Sequence, residues 1–78
     1  MIIKPLATEI EVSAANTVYD SKLVRIYSAN SSTITVTNSE GANNEITVPG
    51  GSVTIIEKET SDTISGSVSV LCTPIAYR

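Results

Sequence analysis

The chain has 78 residues, one cysteine, no histidine and a formal net charge of −3. That length holds a single domain and hides only roughly 60–65% of the surface its unfolded form exposes, while the lone Cys72 forbids an intrachain disulfide. Without histidine there is no Ser-His-Asp or Cys-His arrangement and no imidazole for a metal, and the scattered cations Lys4, Lys22, Arg25, Lys58 and Arg78 make no basic stripe for nucleic acid.

Charged residues are 17% of the chain, below the usual quarter, and Ser and Thr replace them on the solvent faces. Val and Ile dominate the apolar set, a β-branched bias that favours strands. No window sustains the i, i+3, i+4, i+7 spacing of a helix, so no helix longer than a turn is expected. The opening MIIKPLATEIEV lacks the apolar core of a signal peptide. No stretch approaches the eighteen or so apolar residues of a membrane span. Synthesis in a cytoplasm, with no secretion signal of its own and no membrane partner, is the expectation.

In chain order, residues 1–6 predict an arm or edge strand, because Pro5 has no backbone donor to give a central ladder. Glu9 to Ser13 alternates Ile10 and Val12 against Glu9 and Glu11, a short half-buried strand. Residues 14–16 follow as a turn or loop, and Thr17-Val18-Tyr19 as a brief strand ended by Asp20-Ser21. Leu23-Val24-Arg25-Ile26-Tyr27 and Thr33-Ile34-Thr35-Val36-Thr37 flank a polar gap at residues 29–32, which predicts a hairpin at the heart of the fold. Ile34 and Val36 then face inward, and the three threonines outward.

Asn38 to Asn44 is the most turn-rich piece and reads as an exposed tip. Glu45-Ile46-Thr47-Val48 follows, then a sharp turn at Pro49-Gly50-Gly51. The next strand runs from Ser52 to Lys58 with Val53 and Ile55 inward, and residues 59–62 turn before Thr63-Ile64. Gly66 separates these from Val68, Val70 and Cys72 on one face of the last run. Pro74 breaks that ladder, and Ile75-Ala76-Tyr77 continues as an edge or tail.

Short alternating strands with turn signals every eight to twelve residues or so predict an all-β domain. The expected fold is a small antiparallel β-sandwich or barrel of roughly six to eight short strands. Residues 1–78 form one domain, with residues 1–8 an arm or edge strand and residues 74–78 a C-terminal tail. The expected shared interior is Ile34, Val36, Ile46, Val48, Val53, Ile55, Val68 and Val70.

Candidate chemistry is thin. Glu9 and Glu11 at i, i+2 read as a solvated strand face, not an acid–base pair. Asn38, Glu40, Asn43, Asn44 and Glu45 offer oxygens but lack the DxDxDG spacing of a Ca²⁺ loop, so they read as a solvated tip. Cys72 has no basic neighbour and is expected buried and inert. No catalytic residue, cofactor or metal ligand is assigned, and the chain is not expected to be an enzyme. Without disulfide or metal, oligomerisation is the remaining support for so small a core. Tyr19 and Tyr27 suit interface anchors or caps at the ends of the core. The expected contact residues are Ile2, Ile3, Leu6, Ile75 and Tyr77, apolar groups on the two proline-broken ends.

The order Leu23-Val24-Arg25-Ile26-Tyr27, then a Thr/Val strand, then Ile46-Thr47-Val48-Pro49-Gly50-Gly51 carries a resemblance. With Ile56-Glu57-Lys58, Asp62-Thr63-Ile64 and Pro74-Ile75-Ala76-Tyr77, it is similar to very small β proteins of marine tailed bacteriophages. Those resemble virion structural proteins, in particular head decoration (cement) proteins, and the likeness covers most of residues 18–77. It implies a capsid exterior location, the major capsid protein as partner and a homo-oligomer, a trimer favoured. It implies no catalytic or ligand-binding residue. A tail, neck or fibre component would share this chemistry. A host-directed or carbohydrate-binding β module is the further alternative, although a sugar site usually wants more exposed aromatics than three tyrosines supply.

Overall fold

The computed structural model describes residues 3–77, the Tyr77 side chain excepted. It contains eight strands and, among the described residues, no helix. They are β1 (Ile3–Pro5), β2 (Ile10–Val12), β3 (Leu23–Ser28), β4 (Ser32–Thr37), β5 (Asn43–Val48), β6 (Ser52–Glu57), β7 (Thr63–Gly66) and β8 (Val70–Tyr77). All pairings are antiparallel, in two sheets that stack as a sandwich. The five-stranded sheet runs β1-β8-β3-β6, with β2 beside β1 on the same flank of β8, and the three-stranded sheet runs β5-β4-β7.

One side of the sandwich is stitched shut. Beyond β2 the chain crosses to β7, where Asn16 and Ile64 exchange two backbone hydrogen bonds of 3.0 and 2.8 Å. The Gly66 N–H adds a third, to the Ser13 carbonyl at 3.1 Å. A strand that changes sheets in this way makes the corner of a barrel. The other side stays open, because among the described residues β5 pairs only with β4 and β6 only with β3.

The core lies between the sheets and consists of Val12, Val18, Val24, Ile26, Ile34, Val48, Ile64, Val70 and Cys72, with Ile10, Val36 and Ile56 packed against it. Ile34, Val48, Val70 and Cys72 thus face inward as their alternation requires, and Thr33, Thr35 and Thr37 take the opposite face of β4.

Several local expectations are corrected. The runs on either side of residues 29–31 do not pair: β3 joins β6 and β8, and β4 joins β5 and β7. The polar gap arches from one sheet to the other, so the inward faces of the two strands meet across the core. Gly50 seats the neighbouring turn against this arch; a Cβ there would stand 3.1 Å from the Ala29 carbonyl oxygen and the Asn30 Cα. Gly51 completes that turn at φ 78°, a conformation glycine adopts without cost.

In β6 the inward face is Ser52, Thr54 and Ile56, not Val53 and Ile55. The register sets Ile56 opposite Val24 and Thr54 opposite Ile26, the buried row of β3. Ile46 does share a face with its partner Ile34, but it lies on the edge strand and remains 45% exposed. Val68 is 41% exposed because it precedes β8, in a bend whose carbonyl accepts from the Ser32 hydroxyl at 3.0 Å.

Pro74 does not break its ladder. It lies opposite Val24 within β8 and is almost fully buried. On its other flank the Leu6 N–H donates to the Pro74 carbonyl at 2.9 Å. The reciprocal bond would need a donor that proline lacks, and there the N-terminal segment leaves the ladder, separating β1 from β2. β1 is an edge strand, as Pro5 requires.

Ile56→Ala should cost about 2 kcal/mol, through lost burial and a cavity, and Ile55→Ala under about 1 kcal/mol. Urea unfolding of the two variants checks this; the reverse order would invert the face of β6.

Candidate functional site

Thr17-Val18-Tyr19, expected as a strand, is a left-handed turn, with φ of 53° at Val18, 59° at Tyr19 and 53° at Asp20. For L-residues this costs roughly 1–2 kcal/mol each, most for a β-branched side chain. The turn is held from several directions. The Val18 N–H donates to Asn16 Oδ1 at 2.7 Å, the Ser21 hydroxyl donates to the Val18 carbonyl at 2.7 Å, and Val18 itself is buried in the core. Tyr19 points outward at 54% exposure, so it does not cap the core.

Lys58 fastens the turn to the end of β6. It is 5% exposed. Its ammonium donates to the Ser21 carbonyl at 2.7 Å and to the Glu59 carbonyl at 3.2 Å. Burial pushes this ammonium below the ordinary lysine value, against the opposing pull of Asp62 and then Asp20. Sequence reading missed it because a lysine between two glutamates looks solvated.

Of the expected contact residues, Ile3, Leu6, Ile75 and the Tyr77 backbone lie near one corner, since β1 pairs with the end of β8: Ile3 lies opposite Tyr77 and Pro5 opposite Ile75. Ile3 is half-buried and Leu6 is exposed. Ile75 is 3% exposed, so its side chain belongs to the chain's own packing. Ile2 and the Tyr77 side chain lie outside the described residues.

Two further surfaces carry apolar groups. On the outer face of the five-stranded sheet, Tyr27 lies opposite Val53 on one side and Leu71 on the other, a cross-strand row over three strands. Ile55 and Leu23 continue it. Arg25 sits among them, 3.7 Å from Glu9, whose carboxylate also accepts from Thr73 Oγ1 at 3.4 Å. The second surface is the open side of the sandwich, a cleft of about 290 Å³ lined by Val36, Asn44, Glu45, Ile46, Ile56, Glu57 and Asp62. The signal for both was present in sequence as apolar residues on both faces of β3 and β6.

Cys72 is fully buried, and burial, then the Glu9 charge, pushes its thiol up to about 11. Among the described residues, no group of three or more His, Cys, Asp or Glu side chains converges as a metal site. Among the same residues, no helix is long and apolar enough to cross a membrane.

No protein-family model matches the chain, and no curated protein or solved structure matches it significantly. The resemblance to small virion β proteins thus rests on the sequence motifs alone.

Lys58→Met should destabilise the fold by about 1–3 kcal/mol, because the Ser21 carbonyl loses its donor and the Glu59 carbonyl keeps only the Asp62 N–H. The pH dependence has a definite sign. With the folded pKa lowered, the unfolded chain binds more protons as pH approaches the ordinary value of 10.5. The cost of burying the charge is full at neutral pH and is relieved on the way to that value. Wild type should therefore gain stability relative to Lys58→Met over this interval in urea melts, and a relative loss would contradict the assignment. Thiol reagents should label Cys72 slowly in the native protein and rapidly after denaturation.

Proposed function

We propose that this protein is a non-enzymatic virion structural protein, a head decoration protein that docks on the outer capsid surface and strengthens contacts between capsomers. The observation that carries this reading is the contrast between the two outer faces of the sandwich. The three-stranded sheet shows water Thr33, Thr35 and Thr37, paired with Thr47, Glu45 and Asn43. The five-stranded sheet shows Leu23, Tyr27, Val53, Ile55 and Leu71 around Arg25, with Glu57 and Glu11 flanking the row. Val53 alone is 47% exposed. A solvent face has no use for such a row, and a tyrosine flanked by aliphatic groups is characteristic of the centre of protein interfaces.

The sequence resemblance supplies the partner, the major capsid protein. Each copy would bury the Tyr27 row against it, gaining about 25 cal/mol per Å² of apolar surface removed from water. Many copies on one shell multiply a modest contact through avidity. A trimer suits this arrangement, since a closed threefold ring matches capsid threefold positions. The exposed corner at Ile3 and Leu6 is a suitable subunit contact.

Purified protein is added to heads stripped of it, and binding is compared for wild type, Val53→Asp and Thr35→Asp. Val53→Asp should lose at least about tenfold in affinity, near 1.4 kcal/mol, while Thr35→Asp on the opposite sheet binds as wild type. Failure of the wild-type protein to bind heads would overturn the reading. Mass spectrometry of particles separates head from tail: copies in the number of capsomers support decoration, and copies in the number of a tail ring refute it. Light scattering tests the trimer separately.

A further inference from the structure

The open side of the sandwich is an edge as well as a cleft. β5 and β6 are consecutive strands joined by the turn at residues 49–51, yet they belong to different sheets and pair with each other nowhere. From that turn they diverge, and the cleft opens at their far ends, floored by Val36, Ile46 and Ile56. Neither outer edge has a backbone hydrogen-bond partner among the described residues.

A bare strand edge is a template for another chain, and proteins blunt such edges with lysine, proline or a covering loop. β5 and β6 have none of these within their lengths, NNEITV and SVTIIE. Ile46 stands half open beside the edge, facing the same side as Ile34. The cleft is at the lower end of the roughly 300–1,000 Å³ in which whole small molecules bind, a size suited to a few side chains delivered by a peptide.

The charge around the cleft is one-sided. Glu45, Glu57 and Asp62 lie among its lining residues, none of which is a cation, and only Asp62 feels the charge of Lys58 next to the cleft. The near cation, Lys58, already donates to two backbone carbonyls. Glu45 receives a single long bond from Thr35 Oγ1 at 3.4 Å, and Asp62 one from the Glu59 N–H at 3.1 Å. A carboxylate offers about four acceptor positions, so most remain free for a cationic partner.

We infer that the seam between β5 and β6 is a strand-addition site for an extended segment of another protein, one that alternates aliphatic side chains and carries Lys or Arg at its ends. Its backbone pairs with the free edge of β5 or β6, its aliphatic groups cover Ile46 and Ile56, and its cations meet Glu45, Glu57 and Asp62. Backbone pairing supplies affinity, and the pockets and charges supply selectivity. This site adjoins the outer face of the five-stranded sheet at Glu57, opposite Leu23, but does not depend on a capsid as partner.

The probe is a fluorescein-labelled peptide, Lys-Val-Thr-Val-Lys, compared with Glu-Val-Thr-Val-Glu by anisotropy on the full chain at low salt. The lysine peptide should bind at least tenfold more tightly, and added salt should weaken it. Ile46→Asp and Glu57→Arg should each lower its affinity at least tenfold; both positions are exposed, and urea melts show whether the variants remain folded. Amide NMR shifts should move at residues 44–46 and 56–57. Equal binding of the two peptides, no binding of either, or shifts confined to Tyr27, Val53 and Leu71 would overturn the site. The capsid reading would be untouched by any of these, since it is judged on stripped heads.

Discussion

The stitch between Asn16 and Ile64 is the interaction on which the rest of the molecule depends. Two sheets of short strands enclose a core only if something holds them face to face, and here that is done by backbone hydrogen bonds at one corner. β2 supplies the chain for it by leaving β8 and crossing to β7. Directly after the crossing the chain must turn back toward β3, and it does so in the left-handed turn that drives Val18 into the core. The strain there is a local cost of closing the corner tightly. Asn16 connects the two, pairing with Ile64 through its backbone and holding the Val18 amide through its side chain.

Lys58 belongs to the same construction. A charged group so deeply placed is expensive unless its donors are met, and here they meet the Ser21 carbonyl beside the left-handed turn and the Glu59 carbonyl, which also accepts from the Asp62 N–H. Its position at the end of β6 ties that otherwise one-sided strand to the stitched part of the molecule. A second tie is the Lys58 N–H, which donates to the Lys22 carbonyl at 2.7 Å. Held at this end and at the turn of residues 49–51, β6 needs no contact with β5 along its length, and the seam between them can stay open.

The all-β class, the edge character of β1, the threonine face of β4 and the burial of Cys72 were legible in the sequence because each follows from strict alternation or from proline. The failures share a physical cause. Val53-Thr54-Ile55-Ile56 has apolar residues on both faces, so period two cannot say which face is inside; only the register with β3 decides. Residues 29–31 suit an arch as well as a hairpin, since loop length and polarity report that the chain turns, not what the flanking strands pair with. Pro74 looked like a terminator because sequence shows the missing donor but not the flank toward which it points. The left-handed turn had no signal, for Val-Tyr is among the pairs least suited to it. The outer row and the seam were hidden in those same two-sided strands.

Stability and docking are coupled in a molecule built this way. A chain of this length with a single cysteine, and so no intrachain disulfide, keeps little reserve, and the regions with fewest partners open most readily. β5 is such a region, exposed along all but its last residue. A strand added at its edge, or a surface pressed against β6 from outside, binds the folded form and not the unfolded one. It therefore raises stability by mass action, by about 2.7 kcal/mol at a hundredfold excess over Kd. The same exposed edges are what a bound strand would complete, so a complex formed there would be more stable than the free chain.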